Sequence, residues 1–364
     1  MHKTNETLRL RVGELVQVRS KEEILATLDQ DACLDGLPFM PEMFRYCGMH
    51  FRVYKRAHKT CDTVFPTRSR RMANAVHLET RCDGKAHGGC QAGCLIFWKD
   101  AWLRRVNPGS NTSLSFTPEQ DIRIEEAGAQ RGCAEGDVWG CTQTSKQDGG
   151  EPSYMCQATR LPYATTDLQW WDIRQYLEDY RSGNVGVVTI LKGAIHRCLF
   201  RLSTLRGVGW RLRRSYEKIQ ALSGGASWPR RYGAIEMGQP TPTGTLNLQP
   251  GELVRVKPFE EILRTINRKW LNRGMGFDPE MVPFCGGEYR VNKRVSKIIN
   301  EKTGKMQELK TPSVVLDSVV CQARYSSCRL FCPRSIYPFW REIWLERLET
   351  TSSVAHKPVT KQTS

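Results

Sequence analysis

A chain of 364 residues, 40% hydrophobic and 25% charged, suffices for one large core or two to four small ones. No run of about 18 apolar residues occurs, so no transmembrane segment is expected, and residues 1–7 lack the apolar stretch of a secretory signal. A reducing cytoplasm is therefore expected, where the 14 cysteines read as metal ligands or core residues rather than disulfides. Fifty-four Lys and Arg against 38 Asp and Glu leave +16, which points to an anionic partner.

The strongest internal signal is a repeat. Residues 13–59 align without a gap with residues 251–297, and 22 of 47 positions are identical, the mark of a duplicated unit. Shared positions include Ile24 with Ile262, Phe39, Pro41, Glu42 and Met43 with Phe277, Pro279, Glu280 and Met281, and Cys47 with Cys285. The copies meet again at Cys90 and Cys94 with Cys328 and Cys332, and at Trp98, Trp102 and Leu103 with Trp340, Trp344 and Leu345. Two modules follow, 13–106 and 251–348, flanking a middle region at 107–238 and a linker at 239–250. The Ser/Thr/Lys tail at 349–364 has too few apolar residues to pack and is expected to be disordered.

In chain order, residues 15–18 read as a strand and 21–28 as a short helix, entered through a capping box of Ser20 and Glu23. The second copy has Pro258 at the cap position. Residues 167–180 read as a helix starting at Asp167 and burying Trp170 or Trp171. Residues 181–231 hold 11 Lys or Arg and one acid, Glu217. Within them Ile190, Leu191, Ala194, Ile195, Cys198, Leu199 and Leu202 recur at helical spacing, predicting a basic amphipathic helix whose apolar stripe packs on a sheet. The Pro- and Thr-rich linker reads as an extended tether. In the second module residues 289–295 alternate like a strand, 300–305 have hairpin chemistry, and 313–320 form the returning strand.

The opening Gly13, Glu14, Leu15, Val16 and Val18, followed by a basic strand, resembles the start of small SH3-like and translation-factor-type barrels. Longer patterns, residues 321–326, 333–344 and 82–90, resemble a group of uncharacterised bacterial proteins, a likeness that implies no activity. The fold class expected is α+β: two homologous small SH3-like β-barrel modules, with one short helix each, around a mixed middle region.

Each module carries four cysteines, Cys47, Cys82, Cys90 and Cys94 in the first and Cys285, Cys321, Cys328 and Cys332 in the second. Four thiolates suit structural zinc, which would staple a small module, and two zinc sites are the expectation. Iron–sulfur ligation and buried free thiols are the alternatives. His87 reads as a solvated or supporting histidine rather than a ligand, since the second copy has Tyr325 or Ser326 near that position. Cys133, Cys141 and Cys156 form a third cluster that Cys198 or His196 could complete. The Trp pairs, at i and i+4, would share a helical face and are expected in the core.

Arg206, Trp210, Arg211, Arg213 and Arg214 mix guanidinium groups with an aromatic that stacks on bases, a candidate anion-binding set. The expected function is a metal-stabilised binding or scaffold protein with a basic surface for nucleic acid or another polyanion, or with a protein partner. The alternative is an enzyme or accessory factor of a bacterial biosynthetic pathway using Cys90 and His87, or a metal, in the first module. No P-loop, dinucleotide fingerprint, zinc-protease helix or serine-hydrolase elbow is present.

Overall fold

Strand Leu15–Val18 alternates half-buried and buried side chains, as the two-residue period of a strand with one face on a core requires. It pairs antiparallel with His50–Arg52 and with Leu103–Arg105, so that Val16 faces both Phe51 and Arg105. Strand Leu253–Val256 does the same, Val254 facing Tyr289 and Arg347. The structure, a computed structural model, describes residues 8–65, 68–106, 133–144, 151–203, 209–223, 228–229, 231–325 and 329–348. The expected disordered tail lies outside them.

Finer contacts recur at the repeat spacing. Gly13 N–H donates to the Val53 carbonyl at 2.9 Å, and Gly251 N–H to that of Val291 at 2.7 Å. Arg52 donates to the Gly13 carbonyl and Arg290 to the Gly251 carbonyl, each at 3.0 Å. Arg56 meets Asp100, and Arg294 meets Glu342, both at 3.5 Å.

The architecture is mixed α+β with small antiparallel sheets, and among the described residues no sheet closes into a barrel. That corrects the expectation of closed modules. In the second copy the strands run in the order Trp340–Arg341, Met306–Leu316, Glu288–Ile299, Leu253–Val256, Leu345–Arg347. The two edge strands, two and three residues long, are joined by the 3-10 turn Glu342–Trp344 and do not pair with each other. In the first copy the sheet divides: Leu103–Arg105, Leu15–Val18 and His50–Arg52 form one part, Lys55–Arg56, Ala75–Arg81 and Leu95–Lys99 the other.

The cores form around the paired tryptophans. Trp98 lies in a strand and Trp102 closes the 3-10 turn Asp100–Trp102, so they share a core rather than an α-helical face. Phe39 meets their rings edge-on at 6.3 and 5.2 Å, and Phe277 meets Trp340 and Trp344 at 6.1 and 5.2 Å. Trp102 and Trp344 are satisfied alike, Trp102 donating to Thr27 Oγ1 at 3.1 Å and Trp344 to Thr265 Oγ1 at 2.9 Å, whereas the buried Trp340 N–H has no hydrogen-bond partner.

Seven helices occur among the described residues: α1 (Lys21–Leu25), α2 (Glu135–Gly140), α3 (Gln157–Ala164), α4 (Arg174–Arg181), α5 (Val187–Ser203), α6 (Gly209–Ser223) and α7 (Phe259–Leu263). Helix α1 has the expected capping box, Glu23 N–H donating to Ser20 Oγ at 3.3 Å and Ser20 N–H to Glu23 Oε2 at 3.0 Å. The expected helix over 167–180 starts only at Arg174. Thr165–Leu168 instead adds a strand to the edge of Ser69–Met72, where Arg70 pairs with Asp167 at 2.8 Å. Trp171 is exposed, whereas Trp170 lies beneath the guanidinium groups of Arg197 and Arg201, at 3.8 and 4.3 Å.

Two further expectations change in detail. The returning strand of the second module begins at Met306, because Ile299 and Met306 already pair beside a turn in which Gly304 (φ 70°) donates to the Asn300 carbonyl at 2.8 Å. The linker is irregular but docked: Leu246, Asn247 and Leu248 donate their N–H groups to the Glu342 carboxylate at 2.6, 2.9 and 3.1 Å.

Candidate metal centre

Between strands Ala75–Arg81 and Leu95–Lys99 the chain turns tightly through residues 82–94. Gly84 has φ 70°, and its carbonyl accepts from His87 N–H at 3.0 Å and Gly89 N–H at 2.9 Å. A Cβ there would overlap the Cys90 carbonyl, so glycine is required on both conformational and steric grounds. Cys82 N–H donates to the Cys94 carbonyl at 2.9 Å and closes the base of the loop.

The turn brings His87, 1% exposed, beneath the 3-10 segment Pro41–Tyr46. Ligand atoms of Glu42, Cys82 and His87 lie within 4.8 Å of one another, a candidate metal-binding triad. Cys82 Sγ donates to Glu42 Oε1 at 2.7 Å, and His87 Nδ1 lies 3.4 Å from the same oxygen. His87 Nε2 is 3.1 Å from the Met155 carbonyl. Glu42 Oε2 and His87 Nδ1 are buried without a hydrogen-bond partner, which is costly unless something else satisfies them. Burial raises the Glu42 carboxyl, but His87 and Cys82 outweigh it and hold the group below its ordinary value. Burial, with Glu42 beside it, pushes the Cys82 thiol far up. His87 is thus buried beside Glu42 and Cys82, which excludes a solvated ring and leaves the supporting role or that of a ligand. Sequence reasoning missed Glu42, although it stands in the shared motif with Phe39, Pro41 and Met43.

The expected four-cysteine set is regrouped. Cys82, Cys90, Cys94 and His87 line one cavity of about 30 Å³, and the thiol that joins them is Cys156, at the start of α3. Cys47 is not on that cavity; it faces Lys21, Glu22 and Glu135. Cys133 and Cys141 lie near each other and Asp29, where burial raises both thiols. Cys198 is exposed on α5, and His196 belongs to an aromatic group with Tyr216, Trp228 and Tyr325. Neither completes the third cluster.

In the second module Cys321 and Cys332 line a cavity of about 140 Å³ with Cys61 of the first module, Asp278 and Glu280. Cys285 faces Glu260 and Tyr289 instead, and Cys328 lies outside the described residues. Glu280, the counterpart of Glu42, accepts backbone N–H groups of Arg324 and Tyr325 at 2.9 and 2.6 Å. Cys61 N–H donates to Cys332 Sγ at 3.1 Å. Hydrogen bonding to Cys61 holds the Cys332 thiol below its usual range, and the same contact, with burial, pushes Cys61 up.

Cys90 Sγ accepts from Ile299 N–H at 3.4 Å, while the His87 ring nitrogens face Glu42 and Met155. The two side chains therefore form no nucleophile–base hydrogen bond. On the basic segment, Arg206 lies outside the described residues. Trp210 is 60% exposed, with the Arg211 guanidinium 5.4 Å from its ring, and Arg214 is exposed. Arg213 is half-buried, and its Nε is buried without a hydrogen bond. The apolar stripe of α5 does not pack on a sheet: Val187, Val188, Leu191 and Ile195 are exposed. No helix among the described residues is long and apolar enough to cross a membrane.

Compared with protein-family models, with curated proteins and with solved structures, the chain matches none.

Proposed function

We propose that the chain is a non-enzymatic binding protein in which two SH3-like modules, stiffened by a metal centre, hold the helical pair α5–α6 against nucleic acid. The observation that carries this reading is the face of α6, where exposed Trp210, Arg211 and Arg214 stand together, the Arg211 guanidinium 5.4 Å from the Trp210 ring. Residues 187–223 hold eight Lys or Arg and one acid. An aromatic plane flanked by guanidinium groups suits single strands, whose bases stack while their phosphates are neutralised.

The shared strand registers and the turn before each last strand support the SH3-like reading of both modules. The test is retention of single-stranded DNA at low salt. Changing Arg211 and Arg214 to Gln should flatten the salt dependence by roughly 0.7 log unit per lost contact, whereas Trp210→Ala should weaken binding with little change in slope. Wild-type protein that retains no nucleic acid at low salt would remove the reading.

The bare apolar stripe of α5 favours a second reading, an anionic lipid surface. Flotation with phosphatidylserine vesicles, abolished by Leu191→Asp and Ile195→Asp, would select it.

A further inference from the structure

The cavity beside the triad carries an inference that goes beyond polyanion binding and does not rest on it. We propose that Cys82, Cys90, Cys94 and Cys156 hold an iron–sulfur cluster, built from three thiols of the first module and one from the middle region.

Four observations converge on it. First, these four cysteines line one cavity whose other walls are largely apolar, including Met40, Leu95, Ile96 and Phe97. Its volume of about 30 Å³ exceeds what one water needs. Second, the four cysteines line that space without converging on a point. Four thiolates about 2.3 Å from a single zinc stand about 3.8 Å apart. Among the described residues, the one group of three donor atoms within 4.8 Å of one another is Glu42, Cys82 and His87, and no three of these thiols meet that spacing. A polynuclear core, which holds its cysteines apart, fits such a ring better than one ion does.

Third, positive charge gathers on the thiols. Arg334 lines the cavity, 2% exposed; its Nη2 donates to Glu301 at 2.9 Å, and its Nη1 is buried without a hydrogen-bond partner. Arg81 donates to the Gly93 carbonyl at 2.9 Å, and the Lys293 ammonium packs against Gly93, next to Cys94. Glu301 offsets Arg334, but neutral thiols give the half-buried Arg81 and Lys293 no counter-charge. Four thiolates around a metal–sulfide core carry the missing negative charge.

Fourth, a donor already points at sulfur. Ile299 N–H reaches Cys90 Sγ at 3.4 Å, the type of hydrogen bond that tunes a cluster. Assembly takes ferrous and ferric iron in equal parts, with one sulfide per iron, from outside, so that no further oxidant is needed, and each thiol loses one proton to solvent as its iron–sulfur bond forms. Glu42 and His87, beside Cys82, support the ligand rather than bind the core.

The test is anaerobic reconstitution of the full chain with ferrous and ferric iron in equal parts and sulfide, read by iron and acid-labile sulfide content and by visible absorption. Iron and sulfide in equal amounts, with a broad absorption that bleaches with dithionite, is the expected result. Cys156→Ser should lose most of that absorption, and Cys47→Ser should keep it at wild-type level. Zinc as the sole stoichiometric metal, or a wild-type chain that takes up no iron and sulfide, would overturn the proposal. So would a cluster kept by Cys156→Ser and lost by Cys47→Ser. Because Cys156→Ser could disturb α3, far-ultraviolet circular dichroism accompanies it, and the wild-type iron and sulfide content decides the matter whether or not that variant folds.

Discussion

Lys59 Nζ sits 2.5 Å from Asp179 Oδ2 with both side chains buried, and the same ammonium donates to the Leu330 carbonyl at 2.8 Å. One lysine thereby ties the first module to α4 of the middle region and to the second module. Burial lowers the Lys59 ammonium and raises the Asp179 carboxyl to about 6, so each group keeps its charge through the other. Removing one partner strands the other: Lys59→Met or Asp179→Asn alone should cost about 3–5 kcal/mol. The double variant Lys59→Met with Asp179→Asn should cost clearly less than the two singles summed, and a double-mutant cycle in urea measures the difference.

The paired tryptophans give a second test. Trp102 and Trp344 occupy separate apolar clusters that share no residue. Trp102→Ala and Trp344→Ala should each destabilise by about 3–5 kcal/mol. Their effects should add within about 0.5 kcal/mol if unfolding is two-state, and biphasic melting would show that the modules unfold independently.

Gly84→Ala places a side chain at φ 70° and against the Cys90 carbonyl. A loss of about 1–3 kcal/mol is expected on thermal unfolding. Gly13→Ala, also at positive φ (86°) but with open space around the added carbon, should cost less.

Acid should destabilise the fold from the histidine side. Burial, with Lys59 next to His58, depresses His58 to about 3, and burial depresses His77 to about 3. Below the ordinary histidine value of 6.5 the unfolded chain takes up protons that these two rings refuse, so stability falls as pH falls from about 6.5 towards 3. The expected slope is about 1.4 kcal/mol per pH unit for each ring. The raised Asp179 carboxyl acts in the opposite direction below about 6 and offsets part of it. Urea midpoints between pH 7 and 5 that do not move would contradict this account.

The sequence by itself determined the local elements and the repeat. Ser20 with Glu23, the alternation of Leu15–Val18, the hairpin turn at 300–305 and the positions of the core tryptophans follow from short-range pattern. Such signals act over a few residues, and a second copy makes them legible twice. The strand Thr165–Leu168 was hidden because its formation depends on a free edge and on Arg70, 97 residues from Asp167. The grouping of cysteines was hidden for the same reason. Equal spacing in two copies suggested Cys47 and Cys285 as partners of the rest, yet the turn at Gly84 and the start of α3 bring Cys156 to the first cavity, while module packing brings Cys61 to the second. Only tertiary structure decides which distant side chains share a cavity, because burial and electrostatics act through space, without regard to spacing along the chain.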